Sequence, residues 1–315
     1  MSQENPRKSA PSERTSEPQR VVRHLPPAKN AREWLWRRRY SALRHLVQCL
    51  ILLAFAGTAR WGWTLWGAPL LDGTLSESRL LALLPLSDPF ALLERAAAGH
   101  WPTLTAALGA LIVITFYVLL GSRLFCGWVC PVNLVSEAAA AVRQRLGLSA
   151  DLIRLDKKLR YIFVLATLLI SAATGTAAFE LVSPQALLWR DVIFGTGLWA
   201  LAVALTIFAL DVAIAKNGWC SHLCPLGAFW SLISRLNHKP CIRISFNDKT
   251  CTHCGDCLRV CPEPQIIKFN ELKRSGHIPV GDCLQCGRCI EICPEDSLGW
   301  LRKNKTSTFN KNQGD

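Results

Sequence analysis

Two cysteine runs near the carboxyl end of the chain have the spacing of an iron–sulfur protein. The first run reads C-x2-C-x2-C-x3-C-P from Cys251, and the second repeats it 32 residues later from Cys283. Runs with this spacing hold cubane [4Fe-4S] clusters. Thiolate is a soft ligand that suits such clusters, and their chemistry is the movement of single electrons. The spacing therefore predicts an electron-transfer module.

The fourth cysteine of each run is expected to cross to the other cluster. In two-cluster proteins the first three cysteines wrap one cluster, and the cysteine before proline ligates its neighbour. The predicted ligands of one cluster are Cys251, Cys254, Cys257 and Cys293. Those of the other cluster are Cys283, Cys286, Cys289 and Cys261.

Zinc is the alternative cofactor for these runs, because C-x2-C pairs also bind zinc. A four-ligand zinc site does not explain a third cysteine and a Cys-Pro step, both repeated. Gly255 and Gly287 occupy matching places in the two runs, where a residue without Cβ can adopt unusual dihedral angles beside a cluster. We therefore favour two [4Fe-4S] clusters.

Four further cysteines form two copies of a second motif, C-x3-C-P. Cys126 and Cys130 make the first copy, and Cys220 and Cys224 make the second. If a helix continued through a copy, its two cysteines would share one helix face. The four are candidates for additional redox or metal ligands. The alternative is packing of inert thiols, since cysteine is often a small buried apolar residue.

The elements that must position these cysteines are apolar. Half of the 315 residues are apolar, and they concentrate in four blocks, at about 43–66, 103–121, 161–179 and 193–215. Crossing a hydrocarbon core of about 30 Å takes about 20 apolar residues, so the last three blocks qualify as transmembrane helices by length. The first block is weaker, because Arg60 interrupts it.

The predicted fold is an all-α integral membrane domain of four transmembrane helices, followed by a small α+β two-cluster bacterial ferredoxin-like domain. The predicted boundaries are a basic arm at 1–42, the membrane domain at 43–240, the ferredoxin-like domain at 241–302 and a polar tail at 303–315.

The charges of the connecting segments predict the orientation. Segment 122–160 carries seven Lys/Arg and the segment after residue 215 carries fourteen, against two in 62–102 and one in 180–192. Cationic loops stay on the cytoplasmic side. Both termini and the clusters are therefore expected in the cytoplasm of a multi-pass inner-membrane protein.

Two other interpretations of the basic residues are less favoured. The net charge of +13 could indicate nucleic-acid binding, but eleven Lys/Arg lie in residues 1–44, beside the first apolar block. We therefore expect no nucleic-acid partner. Residues 37–39, three arginines before that block, also resemble a twin-arginine signal with a cleavage site at 54–56. Cleavage there would leave three spans and reverse the side of the clusters.

Several isolated polar residues are weaker candidates. Arg60 could contact a quinol head group, but an arginine near a helix end usually snorkels to the interface. His222 could be a metal ligand inside the second C-x3-C-P motif, but we favour an interfacial aromatic-like role, because Trp128 occupies the aligned place in the first motif. Asp88, His100 and Glu180 are expected at the outer face, where interface solvation explains them as well as quinol binding does.

The chain resembles the NapH family of ferredoxin-type proteins over nearly all of residues 40–300. The shared segments are PLSDP at 85–89, RLFCGWVCP at 123–131, GWCSHLCPLGA at 218–228 and the paired cysteine runs. The resemblance implies four spans with cytoplasmic ends and a role as the membrane component of a quinol dehydrogenase. Electrons would pass from membrane quinol to a periplasmic NapG-like ferredoxin partner and on to nitrate reductase.

Other functions remain open at this point. MauN-type ferredoxins of methylamine utilisation share the same motifs. A maturation, assembly or redox-maintenance factor for a periplasmic reductase is another alternative, and a membrane-anchored binding protein with structural clusters is a third. The sequence has no C-x-x-C-H haem motif and no G-x-G-x-x-G nucleotide fingerprint.

Overall fold

The computed structural model describes residues 29–301 except 75, 149–150, 154, 196–197 and 238. Most of the predicted basic arm, residues 1–28, and the predicted tail at 303–315 lie outside the described residues. The described part of the chain is mostly helical, as predicted.

The helices of the larger, amino-terminal part follow the apolar blocks and the segments between them. They are α1 (Ala31–Arg37), α2 (Arg39–Trp61), α3 (Pro89–Ala97), α4 (Leu104–Leu120), α5 (Leu124–Trp128), α6 (Val132–Arg145), α7 (Leu159–Thr174), α8 (Ala178–Val182), α9 (Pro184–Phe194), α10 (Leu198–Ala213) and α11 (Pro225–Ile233). The later helices are α12 (Asp256–Val260), α13 (Phe269–Ser275) and α14 (Arg288–Ile292).

The strands are short and pair in antiparallel fashion. They are β1 (Thr64–Leu65), β2 (Ala68–Pro69), β3 (Leu71–Gly73), β4 (Glu77–Leu80), β5 (Leu84–Ser87), β6 (Arg243–Phe246) and β7 (Leu298–Leu301). The first five occupy the segment between α2 and α3, where β3, β4 and β5 form a meander. Strands β6 and β7 pair near the two ends of the carboxyl-terminal part, with Ile244 opposite Trp300.

The four predicted apolar blocks are helical, with ends that differ from the prediction. Helix α2 stops at Trp61 because Gly62 takes a left-handed conformation with φ of 63°. Gly175 ends α7 in the same way. In the described part of the chain, one helix, Arg39–Trp61, is both long and apolar enough to cross a membrane. The other three blocks form apolar helices of 16 or 17 residues.

These four helices expose large apolar side chains, and three of them, α2, α7 and α10, also bury polar ones. Arg44, Gln48 and Ser171 are fully buried, and Asp211 is almost so. Large apolar side chains of the same helices are exposed. Examples are Leu46, Leu50 and Leu53 on α2, Leu108, Leu111 and Phe116 on α4, Ile162, Leu165 and Leu169 on α7, and Trp199, Leu201 and Leu205 on α10. A surface helix of a water-soluble domain shows the opposite arrangement.

The segment predicted as the first outer loop packs against α4. Strand β5 packs along this helix at Gly109, where an added Cβ would lie 2.9 Å from Ser87 Oγ and 3.1 Å from the backbone of Pro85. A side chain at this position would force the Ser87 hydroxyl and the Pro85 backbone to shift. The PLSDP segment therefore has a packing role, and Asp88 caps α3 by accepting the Phe90 N–H at 2.9 Å.

The carboxyl-terminal part has its own apolar core beneath β6 and β7. Its buried side chains include Ile244, Phe246, Leu272, Ile278 and Leu298. Several cluster-run cysteines pack against the same core. The hydrophobic core thus forms the wall of the cysteine sites.

Buried ion pairs join this part to the helices. Arg123 Nη1 donates to Glu263 Oε1 at 3.1 Å, and both side chains are 1% exposed. Lys157 also contacts Glu263, and Arg160 pairs with Asp282 at 2.6 Å. Removal of one partner from a buried ion pair is strongly destabilising, because the other charge stays buried without compensation.

Candidate functional site

The first cysteine cavity is lined by cysteines of both runs, namely Cys251, Cys254, Cys257 and Cys293. About 430 Å³ of space there is not filled by protein atoms, and this volume includes open solvent. Two backbone amides point at its sulfurs. His253 N–H donates to Cys251 Sγ at 3.4 Å, and Ser297 N–H donates to Cys293 Sγ at 3.3 Å. The structure thus brings together the four residues predicted as one ligand set.

The second cysteine cavity contains the other predicted set, namely Cys261, Cys283, Cys286 and Cys289. It encloses about 330 Å³. Gln285 N–H donates to Cys283 Sγ at 3.4 Å, in the same relation as His253 to Cys251. The two cavities share Ile267 as a wall.

Two short helices place the crossed cysteines. Helix α12 leads from the first run's third cysteine to Cys261, and α14 leads in the same way to Cys293. The two helices pack against each other. Each therefore carries the chain from one cavity to the other, which is the structural basis of the predicted crossing.

Matching left-handed turns aim the amides at the sulfurs. Gly255 and Gly287 have φ of 80° and 76°, as the sequence suggested. His253 and Gln285 also have positive φ, of 55° and 52°. A positive φ is uncommon for residues with a Cβ, so the sequence did not indicate these two positions.

Burial raises the pKa of some of the thiols in each cavity. The pKa of Cys257 rises to about 11 and that of Cys283 to about 12, in each case chiefly because burial disfavours the charged thiolate. These groups are neutral thiols at pH 7 unless iron binds them, because a coordinating thiol is deprotonated. The donor set fits [4Fe-4S] clusters, which the eight thiolates would hold as electron carriers.

The third cysteine cavity combines the two C-x3-C-P motifs. It is lined by Cys126, Cys130, Cys220 and Cys224 and encloses about 490 Å³. Its other walls include Asn133, Phe179, Gln185 and Leu226. His222 is buried but is not among the described residues that line this cavity. Four cysteines from positions 94 residues apart in sequence therefore meet at one site.

Wide turns, and not continuous α-helix, position these cysteines. Helix α5 ends at Trp128, and Cys130 N–H donates to Phe125 O, five residues back, at 3.0 Å. In the second motif Cys224 N–H donates to Trp219 O at 2.9 Å, within a π-helical turn. The condition of a helix that continues through each copy is not fulfilled, because both motifs close an i to i−5 hydrogen bond. Such π-type turns often occur at functional sites.

The three cavities lie in series. Leu284 lines both the third and the second cavity, as Ile267 lines the second and the first. At Gly127, between the two cysteines of the first motif, an added Cβ would lie 2.7 Å from Leu284 O. The backbones of the motif and of the second run are therefore in direct contact.

A group of carboxylates lies at α3 and α8 of the helical part. Burial raises the pKa of Asp88 to about 7, and it also raises the pKa values of Glu94 and Glu180. Asp88 and Glu180 line one cavity of about 500 Å³. Glu94 Oε1 accepts the Phe179 N–H at 2.8 Å. Glu94 is not recognisable as a site residue from the sequence, since it is a single glutamate in a short helix and belongs to no motif.

An aromatic core connects this carboxylate group with the third cavity. Phe90 and Phe179 pack edge to face with centroids 5.8 Å apart. They belong to one buried cluster with Phe125 and Trp230, against which Cys126 and other motif cysteines pack. The segments predicted outside and the motifs predicted inside thus meet in the middle of the helical part.

Among the remaining candidates, Arg60 is exposed in the last turn of α2. Its guanidinium lies beside Gly195, with Nη2 2.7 Å from the position of an added Cβ. Trp61 and Trp63, which follow it, have ring centroids 5.7 Å apart. His100 lies in the exposed loop before α4.

Comparison with known protein families agrees with this description. A model described as a 4Fe-4S dicluster domain matches residues 243–294. A second model, described as a 4Fe-4S binding domain, matches twice, at 102–149 and 196–242. Each of these two matches spans one apolar helix and one C-x3-C-P motif. The fold and the cysteine cavities define a ferredoxin-type iron–sulfur protein.

Curated relatives specify the family further. The chain is 41% identical to the methylamine utilization ferredoxin-type protein MauN of Paracoccus denitrificans, over 78% of this chain and 83% of the relative. It is 40% identical to the ferredoxin-type protein NapH of Haemophilus influenzae, over 76% and 82%. It is 35% identical to NapH of Escherichia coli, over 78% and 83%.

The chain belongs to the NapH/MauN family of ferredoxin-type proteins, as the resemblance in its motifs indicated. Identity to MauN and to NapH is nearly equal, so identity alone does not choose between the two names. No solved structure matches the chain.

Proposed function

We propose that this protein is the membrane-bound electron-transfer component of a quinol dehydrogenase. It would take electrons from membrane quinol and pass them through its cysteine cavities to a ferredoxin-type partner. The observation that carries the proposal is the series of three cysteine cavities, joined by Leu284 and Ile267, which begins in the apolar helical part. A bound cluster supplies one-electron transfer, and closely spaced centres suit a relay.

Multi-pass membrane insertion is part of the proposal. The exposed apolar side chains on α2, α4, α7 and α10 would face lipid, while Arg44, Gln48 and Asp211 are buried inside. The three shorter helices would span only about 25 Å at 1.5 Å per residue, so flanking segments must complete the crossing. Loop charges favour cytoplasmic termini and clusters in the inner membrane.

The carboxylate group beneath the first outer loop supplies a place for quinol protons. Oxidation of one quinol releases two electrons and two protons. A carboxylate whose pKa is close to 7, as at Asp88, is suited to accept a proton from a reacting hydroxyl. Phe90, two residues from Asp88, and Phe125, next to Cys126, belong to one buried aromatic core.

We propose the electron acceptor from the names of the relatives. The relatives named NapH favour a NapG-like periplasmic ferredoxin and, through it, nitrate reductase as acceptor. The relatives named MauN make methylamine utilisation the second candidate. Expression of this chain in strains lacking either NapH or MauN separates the two, because only the correct host should recover the corresponding electron flow.

A direct experiment tests the electron-transfer role. The protein is purified anaerobically, its iron and acid-labile sulfide are counted, and EPR spectra are taken before and after a short-chain quinol is added. We expect eight or more irons per chain, in agreement with about four per cluster, and quinol-dependent reduced-cluster signals. Iron-loaded protein whose clusters do not respond to quinol would refute the proposal and favour a role in assembly of a partner reductase.

Orientation has its own test. A fluorescent protein fused after residue 315 should fluoresce, and an alkaline phosphatase fused there should be inactive, if the carboxyl end is cytoplasmic. The reverse result would place the clusters on the periplasmic side, as cleavage of a twin-arginine signal predicts.

A further inference from the structure

We infer that Cys126, Cys130, Cys220 and Cys224 together hold a third iron–sulfur cluster, built across the two halves of the helical part. This goes beyond the proposed function, since two clusters alone would serve an electron-transfer protein. The two C-x3-C-P motifs would then be two half-sites of one centre.

The ligand set at this cavity consists of sulfur. Four thiol groups line it, and the nearby His222 is not among the described lining residues. Four soft thiolates favour a zinc ion, a copper(I) ion or an iron–sulfur cluster over harder cations. The four sulfur ligands therefore limit the bound group to a thiophilic metal ion or an iron–sulfur cluster.

The arrangement favours a cluster over a single ion. Within the described ranges, no three His, Cys, Asp or Glu side chains are placed to ligate one metal ion. A cubane takes each thiolate at a different iron atom, so its ligands stand farther apart than those of one ion.

Hydrogen bonds to sulfur repeat the pattern of the other two cavities. Gly227 N–H donates to Cys224 Sγ at 3.4 Å, the distance at which His253 and Gln285 donate to their cysteines. Ser136 Oγ lies 3.4 Å from Cys220 Sγ. Donors at these positions suit sulfur that carries negative charge.

A buried cation faces the same cavity. Arg123 lines it, is almost fully buried, and among the described residues its Nε has no hydrogen-bond partner. A cluster bound by four thiolates is anionic, and a buried anion needs a compensating charge. Arg123 belongs to a group in which three cations, Arg123, Lys157 and Arg160, face two carboxylates, Glu263 and Asp282, so one positive charge is left over.

The position of the cavity suits an entry point for electrons. It lies between the aromatic core that contains Phe90 and Phe179 and the second cavity, with which it shares Leu284. The segments that close it, α5, the π-helical turn and the start of α9, belong to the apolar part. A centre here would be the one closest to the carboxylate group.

The test is a count of iron and sulfide on anaerobically reconstituted full-length protein, together with Mössbauer spectra of the ⁵⁷Fe-labelled form. We expect about twelve irons per chain in the wild type and about eight in Cys220→Ser, given four per cluster. Cys49→Ser and Cys241→Ser, which alter cysteines outside all three cavities, should keep the wild-type count.

Three other outcomes would each overturn the inference. About eight irons in the wild type, with no loss in Cys220→Ser, would leave the two cluster runs as the sole iron sites. One zinc or copper per chain beside eight irons would make the site a single-ion site, and a Cys–Cys disulfide detected by mass spectrometry would make it a thiol switch. If the Cys220→Ser variant does not accumulate in cells, the iron count of the wild-type protein alone tests the inference.

The result is separable from the proposed function. Twelve irons with no response to quinol would uphold the third cluster and refute quinol oxidation. Eight irons per chain, in clusters that quinol reduces, would refute the third cluster and support quinol oxidation.

Discussion

Trp128 donates its indole N–H to the carbonyl oxygen of Gln285 at 3.0 Å. Trp128 lies between the two cysteines of the first C-x3-C-P motif, and Gln285 lies between two cysteines of the second cluster run. One hydrogen bond thus joins the two kinds of cysteine motif. The ferredoxin-like part is held against the helical part at the point where their metal-binding candidates meet.

The contact between Gly127 and Leu284 should be sensitive to a single methyl group. In Gly127→Ala the new Cβ would lie 2.7 Å from Leu284 O, a backbone atom that cannot rotate away. We expect a loss of about 1–3 kcal/mol, typical of overpacking. Thermal unfolding measures it, with Gly281→Ala as control because nothing lies within 4 Å of its Cβ position. Equal melting temperatures would show that the two parts are not in contact here.

Removal of the charge at Glu263 should destabilise the interface strongly. This side chain, 1% exposed, pairs with Arg123 and Lys157, so Glu263→Gln leaves buried cations without compensation. Loss of one partner of a buried pair costs about 3–5 kcal/mol. Limited proteolysis and thermal unfolding should report it.

The matched control for that substitution is Glu271→Gln. Its pair with Lys268 is exposed on both sides, so its loss should cost about 0–1 kcal/mol. Similar stability in the two variants would contradict a buried charge network.

Crossed ligation predicts which variants share a spectrum. Cys293→Ser should remove the same cluster signal as Cys254→Ser, because both line the first cavity. Cys261→Ser should instead resemble Cys283→Ser. EPR of the reduced variants distinguishes the two signals. If Cys293→Ser instead matched Cys283→Ser, each run would hold its own cluster.

Reduction by quinol should depend on pH through Asp88. Its pKa, raised to about 7 by burial, leaves it mostly protonated below pH 6 and unable to accept a proton. The initial rate of cluster reduction should therefore rise with pH, with a midpoint close to 7, and this rise should be weaker in Asp88→Asn. Asp72→Asn, at an exposed aspartate, is the control. Identical pH profiles for all three proteins would remove Asp88 from the reaction.

The same shift has a consequence for stability. Because the folded-state pKa of Asp88 lies above its ordinary value of 3.8, the folded protein holds more protons than the unfolded chain between about pH 4 and 7. Stability should therefore fall as pH rises through this window. The decline should be smaller in Asp88→Asn, as measured by thermal unfolding at each pH. A decline of equal size in the variant would assign it to other groups.

The sequence by itself determined the cofactor class and the composition of the helices. A spacing such as that of Cys251, Cys254 and Cys257 is a local constraint, since a loop of this length can wrap one cluster whatever surrounds it. The length of an apolar block is likewise a property of one short stretch of sequence. All four predicted blocks are helical for that reason. Family membership follows from the same motifs.

The tertiary structure decided what depends on residues distant in the chain. It brought Cys126 to Cys220, set both motifs in wide turns, and placed Glu94 beneath Phe179. It also folded the PLSDP segment back onto Gly109. Spacing along the chain does not determine such contacts, because they arise from the packing of one helix against another and from the pairing of buried charges.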